Sequence, residues 1–322
     1  MHIDNQNDPL RHHILPQVYL RGFQDQKGVL WACNLKTPYK AKIRKTSANG
    51  VCYQPNYFKI PNPEIKGNEL IVEKFINHSF ENDIPKYFGL LNSTNKVLSL
   101  DQKYRIAEII LHLKIRNTFV RDTIFDPKLL TSILREIADS FKSNPDVETI
   151  TAAHSIGESV DSYMDMVEPY VLDKTLQEGG AVSHNEFILN QFNGRSEFKN
   201  ATLWKIIQGK WTVYTYKSGD KFLVSDNPGV SVINKRCYHL AFDGKFEFIF
   251  PINSKQILCI TRSKFSDLDA LTSLSHGTLD EYEFNKINSA TAANANKEVF
   301  AENESIIEKT RDNVLHEKFF KF

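Results

Sequence analysis

The chain has 322 residues, enough to bury a full-sized core, and its 41% hydrophobic and 25% charged residues match a water-soluble globular protein. Lys and Arg number 40 against 39 Asp and Glu, so no global basic field marks a nucleic-acid binder, although a local basic cleft is left open. The four cysteines (Cys33, Cys52, Cys237, Cys259) show neither C-x-x-C nor Cys/His zinc spacing, which argues against structural zinc and fits a reducing compartment.

The first residues, MHIDNQNDPLRHH, are polar and contain no apolar core of a signal peptide. No apolar run reaches the roughly 20 residues that cross a bilayer. A cytoplasmic protein with no membrane part is expected. The pair His12-His13 then precedes Pro16, which suits the first position of a helix. Tyr19, Leu20 and Phe23 follow at helical spacing and predict one apolar stripe to be buried. GVLWACNL and YKAKIRKT read as short strands, and VCYQPNYFKI as an irregular third broken by Pro55.

From Asn68 the apolar period becomes helical, with an interruption near Pro85. Asp101 is expected to cap a helix running to about Asp122, and more helix is expected from Pro127 to Lys142 and from about Val147 to Gln177. After Gly209, KWTVYTY, KFLVSD, KFEFIFPI and QILCITR are short aromatic and β-branched runs between turn residues, the pattern of antiparallel strands. YEFNKINSATAANANKEVFA reads as a return to helix. The expectation is an α+β chain: a small N-terminal β region, a helical middle at about 68–208, and an antiparallel C-terminal β region with a closing helix. The two β regions are free to share one sheet within a single domain spanning 1–322.

Three stretches carry candidate chemistry. At a helix N-terminus His12 and His13 would face free N–H groups and a dipole that favour an anion, and imidazole moves protons near neutral pH. Arg21 could add a bidentate phosphate contact. The plain alternative is a polar turn. In FLVSDNPGVSVI an apolar strand ends at Ser225, and Asp226-Asn227-Pro228-Gly229 turns the chain; this is either a good turn or a site on a loop. In LHLKIRNTFVRD, His112, Arg116 and Asn117 fall beside the apolar face, where an exposed basic helix surface is the common case. Glu73 and Glu81 lie eight apart and share a face if their helix is unbroken; most such glutamates are solvated. The chain lacks the P-loop, the dinucleotide fingerprint, the nucleophile elbow and the H-E-x-x-H motif.

His12-His13-Ile14 running into PQVYLRGF, with Ser225-Asp226-Asn227-Pro228 two hundred residues later, resembles the bacterial family called domain of unknown function 4238, known by an HHY-type and an SDNP motif. Ile14 stands where the family motif has an aromatic. The resemblance spans about His12 to Phe300. It implies that the two motifs meet in space, with His12 or His13 in reach of Asp226, and a place among bacterial defence or toxin-like proteins. The reading that follows is a phosphodiester hydrolase acting on RNA or DNA. His12 and His13 would transfer protons, or one would bind a divalent metal. Asp226 with Asn227 would orient a histidine or hold that metal, and Arg21, Arg116, Asn117 and Ser225 would hold substrate. The competing reading is a binding or sensor module in which both motifs form a structural polar network.

Overall fold

A computed structural model describes residues 11–35, 42–60, 70–92, 97–193, 196–242, 244–263 and 268–316, apart from some side chains within 174–193 and that of Leu268. The beginning of YKAKIRKT and residues 68 and 69 of the predicted helical stretch lie outside them. The N-terminal part holds β1 (His12–His13), α1 (Gln17–Leu20), β2 (Leu30–Asn34), β3 (Arg44–Thr46) and β4 (Tyr53–Gln54). The histidine pair is therefore on a strand, not at a helix N-terminus. It pairs antiparallel with β4, His12 opposite Gln54 and His13 opposite Tyr53. Pro16 sits one position earlier than expected, as the N-cap of α1, with extended backbone at ψ 135°. A single 3₁₀ turn over Arg21–Phe23 completes the segment. Tyr19, Leu20 and Phe23 are buried as the spacing predicts.

The middle is helical: α2 (Ile71–Ser79), α3 (Ile84–Leu91), α4 (Leu100–Ile115), α5 (Thr118–Thr123), α6 (Pro127–Ser143), α7 (Val147–Ser155), α8 (Val160–Asn193) and α9 (Glu197–Gln208). A 3₁₀ turn over Glu81–Asp83 and Pro85 in the first turn of α3 make the break between α2 and α3. The cap of α4 is Ser99, in a reciprocal capping box with Gln102; Asp101 instead supplies first-turn negative charge to the dipole. The helix expected to reach Asp122 ends at Ile115. Asn117 leaves the helical backbone and caps α5 by accepting from the Val120 N–H.

The C-terminal part adds β5 (Lys210–Tyr216), β6 (Val224–Ser225), β7 (Val230–Ile233), β8 (Arg236–Tyr238), β9 (Phe246–Asn253), β10 (Gln256–Thr261), β11 (Leu274–Leu279), α10 (Glu281–Ala293), β12 (Glu298–Ala301) and α11 (Glu304–Leu315). A six-stranded sheet runs β11-β5-β10-β9-β7-β8, antiparallel except for the parallel β11–β5 pair. A four-stranded sheet runs β3-β2-β12-β6. The second sheet joins the two β regions, since β12 lies between N-terminal β2 and C-terminal β6. KEVFA is thus strand, although it follows an Ala-rich helical run.

The N-terminal helix docks on the larger sheet. The Tyr19 hydroxyl donates to the Pro251 carbonyl at 2.6 Å, and its ring packs on Phe250 and Phe88. Helix α4 crosses the same core with eleven buried residues, among them Lys103, Glu108, His112 and Lys114. A helix buried on nearly every side cannot leave its polar groups in water, so each has to be met by the protein.

Candidate functional site

His12 is fully buried, and its Nδ1 accepts the Phe58 backbone N–H at 2.7 Å. An accepting Nδ1 places the ring proton on Nε2, which faces Glu73 Oε2 at 3.3 Å. His12 thus holds Glu73. The same imidazole stacks on the Phe58 ring.

His13, half-buried, points into different surroundings. Arg21 donates to Gln17 Oε1 at 3.3 Å, and a guanidinium has only donors, so this contact fixes which way the Gln17 amide faces. Gln17 Nε2 is then the atom 3.3 Å from His13 Nε2 and 3.2 Å from Asn49 Oδ1. An amide N–H₂ donates, so His13 Nε2 accepts and the ring proton sits on Nδ1, which bonds to the Asn49 backbone. Burial, helped by the positive charges of Arg116 and Arg11, holds His13 below the usual 6.5 against the opposing pull of the Asn49 bond and Glu81. It is a neutral imidazole with a basic nitrogen.

His13 belongs to the wall of a cleft, and His12 lies buried behind it, against Glu73 of the same wall. The cleft's volume is about 420 Å³, and its lining includes His13, Gln17, Arg21, Phe58, Glu73, Asn77, Glu81, Asn82 and Arg116. Glu73 and Glu81 reach it from different elements, α2 and the 3₁₀ turn, because the helix expected to carry both is broken at Phe80. Arg116, 1% exposed, donates to Glu81 Oε1 at 2.9 Å and to the His13 carbonyl at 2.5 Å, while its Nε–H is buried without an acceptor. His112, stacked on Phe80 at 4.3 Å and beside Arg116, is kept neutral by burial and by the charges of Arg116 and Arg105. The basic helix face expected at the surface is therefore interior. Gln17, Asn77 and Asn82 were not singled out from the sequence; Gln17 alone left a trace there, four residues after His13.

The Ser225-Asp226-Asn227-Pro228 turn is not part of that lining. Asp226 accepts backbone N–H groups of Asn296, Lys297 and Glu298 at 2.8, 2.8 and 3.2 Å. Burial raises its carboxyl to about 6 in spite of those three bonds, which pull the other way. Asn227 Oδ1 accepts from Lys114 Nζ at 2.8 Å and Asn117 Nδ2 at 3.0 Å, and its amide donates to the Asn294 carbonyl. The Ser225 hydroxyl donates to the Asn227 carbonyl. Gly229 closes the turn at φ 83°, where an added Cβ would also lie 2.9 Å from the rings of Phe248 and Phe250. Lys114, fully buried, is held well below the ordinary lysine range by desolvation.

The two motifs are neighbours through consecutive residues of one helix end: Arg116 holds the His13 carbonyl and Asn117 holds Asn227. A second link runs through Cys52, whose carbonyl accepts the Ile14 N–H and whose thiol is raised by burial and by the charge of Asp226. Among the described residues no group of three or more His, Cys, Asp and Glu side chains is placed to hold a metal ion. No helix among the described residues is long and apolar enough to cross a membrane.

Fold and site together define an α+β protein with a polar cleft at its N-terminal histidine pair. The family model described as protein of unknown function (DUF4238) matches residues 11–305, and the chain belongs to that family. No curated protein and no solved structure matches it.

Proposed function

We propose that the chain is a phosphodiester hydrolase, a nuclease acting from the histidine cleft. The observation that carries this reading is the state of His13: neutral, at the wall of a cleft that also holds two arginines and two glutamates, with Nε2 as an acceptor that a substrate hydroxyl would take over from the Gln17 amide. A neutral imidazole is the form that takes a proton from an attacking hydroxyl or water. Arg21 and Arg116 bring positive charge to the side where a phosphoryl group gains negative charge, and His12 acts by fixing Glu73. A volume of 420 Å³ suits a nucleotide-sized unit and is too small for a duplex. Asp226, Asn227, Ser225 and Asn117 serve this reading as the support of the helix end that carries Arg116. The setting implied by the family resemblance is bacterial defence or toxicity in the cytoplasm.

The test is incubation of the purified chain with labelled single-stranded RNA and DNA, with and without Mg²⁺ or Mn²⁺. Cleavage is expected, and His13→Ala is expected to lower its rate by about 10²–10⁴-fold with an unchanged melting temperature. Intact substrate under every condition rejects the reading. One observation favours the binding-module alternative: Asp226 and Asn227 spend their hydrogen bonds on the protein itself. A chain that never cleaves but is destabilised by changes at both motifs would be that module.

A further inference from the structure

The cleft contains a conflict of charge. A site for a phosphate alone would have little use for carboxylates, which repel it, yet Glu73 and Glu81 both line the wall. Neither is wholly enclosed: their side chains keep 16% and 22% of their surface exposed. Each is fixed by a buried group on its inner side, Glu73 by His12 and Glu81 by Arg116. An ionised carboxylate only accepts hydrogen bonds, so what it can recognise in a ligand is a hydroxyl or an N–H. The amides of Asn77, Asn82 and Gln17 add groups that both donate and accept. Opposite in character is Arg116, 99% buried, whose Nε–H finds no acceptor in the protein. A buried donor left unmatched is costly, and a ligand oxygen is an acceptor that can match it.

We infer that the cleft selects ribonucleotides over deoxyribonucleotides, with the ribose 2′-hydroxyl donating to Glu73 and the phosphate lying against Arg21 and Arg116. The inference rests on the hydrolase reading and narrows its substrate to RNA. The 2′-hydroxyl is the group that distinguishes the two sugars, and carboxylates are well suited to receive it. Loss of one hydrogen bond to a charged acceptor weakens binding by about 10–100-fold.

The experiment is calorimetric titration of the full chain with AMP and 2′-deoxy-AMP, and with UMP and 2′-deoxy-UMP, beside cleavage of single-stranded RNA and DNA of one sequence. The ribonucleotide of each pair is expected to bind about 10–100-fold more tightly, and RNA to be the strand cleaved. Glu73→Gln, which keeps shape and removes charge, is expected to narrow the ratio within each pair, since it weakens the hydroxyl contact while easing repulsion of both phosphates alike. Asn82→Ala, at an exposed position that does not threaten folding, is expected to narrow the ratio to a smaller degree. Equal binding within each pair, or a ratio untouched by both variants, overturns the inference; cleavage of DNA and RNA alike would then still uphold the hydrolase. Absence of binding and of cleavage rejects both.

Discussion

The histidine cleft and the Ser225–Pro228 turn use similar residues to opposite ends. In the turn, each carboxylate and amide is answered by a backbone group or by Lys114 and Asn117. In the cleft, two glutamates stay partly exposed and a guanidinium N–H lacks an acceptor. Completeness of hydrogen bonding, more than residue type, separates a polar group that holds a fold from one placed to meet a ligand. The distinction has to be made atom by atom, since Asp226 and Glu81 are alike in chemistry and both are held by N–H donors.

That contrast can be broken by measurement. Asn227→Ala has the largest expected effect on folding. It leaves buried donors on Lys114 and Asn117 and an acceptor on Asn294 unmatched, and should cost about 3 kcal/mol in denaturant unfolding. A loss below 1 kcal/mol would show that the turn is not a structural network.

Asp226 sharpens the comparison through pH. Its folded pKa of about 6 lies above the ordinary 3.8, so the native state binds the proton more tightly than the unfolded chain. Stability from this group is therefore greatest below about 4, falls as pH rises to 6, and is flat above, a change on the order of 2–3 kcal/mol. Asp226→Asn should remove that slope from a series of unfolding curves; an unchanged slope would assign the titration elsewhere.

His13→Ala should sit at the other extreme. A half-buried neutral imidazole bonded to Gln17 and Asn49 contributes less than about 1 kcal/mol to folding, although cleavage depends on it. Because His13 must be neutral to accept a proton, activity should fall on the acid side with a midpoint below 6.5. A midpoint above 6.5 would mean that another group titrates.

Legibility in the sequence was uneven for physical reasons. The stripe of Tyr19, Leu20 and Phe23, the break at Pro85 and the strands at 210–216, 246–253 and 256–261 follow from local period, and they stand as expected. Strand β12 did not show, because Glu298–Ala301 becomes strand only by lying between β2 and β6, and local propensity carries no knowledge of those partners. His12-His13 was placed at a helix start since Pro16 fits N1 as well as the N-cap it occupies. At the site, the two motifs and Arg116 could be picked out, but not their partition into cleft and turn. Burial of Lys114, Arg116 and Asn117 arises from the helix being enclosed on all sides, and a charged residue near a helix end is exposed far more often than not.

The four-stranded sheet carries a consequence for how the chain is made. Asn34 pairs with Glu298 and Trp31 with Ala301, so one edge of β2 stays open until synthesis has passed Ala301. At roughly 5–20 residues per second, that is a wait of roughly 15–50 seconds for a nascent chain. During it the hydrogen-bonding edge that β12 will cover is available to other strands, the condition under which chaperones engage and aggregation begins. Ribosome-bound fragments ending before residue 298 should therefore be held by chaperones or lost to aggregates, and longer ones released.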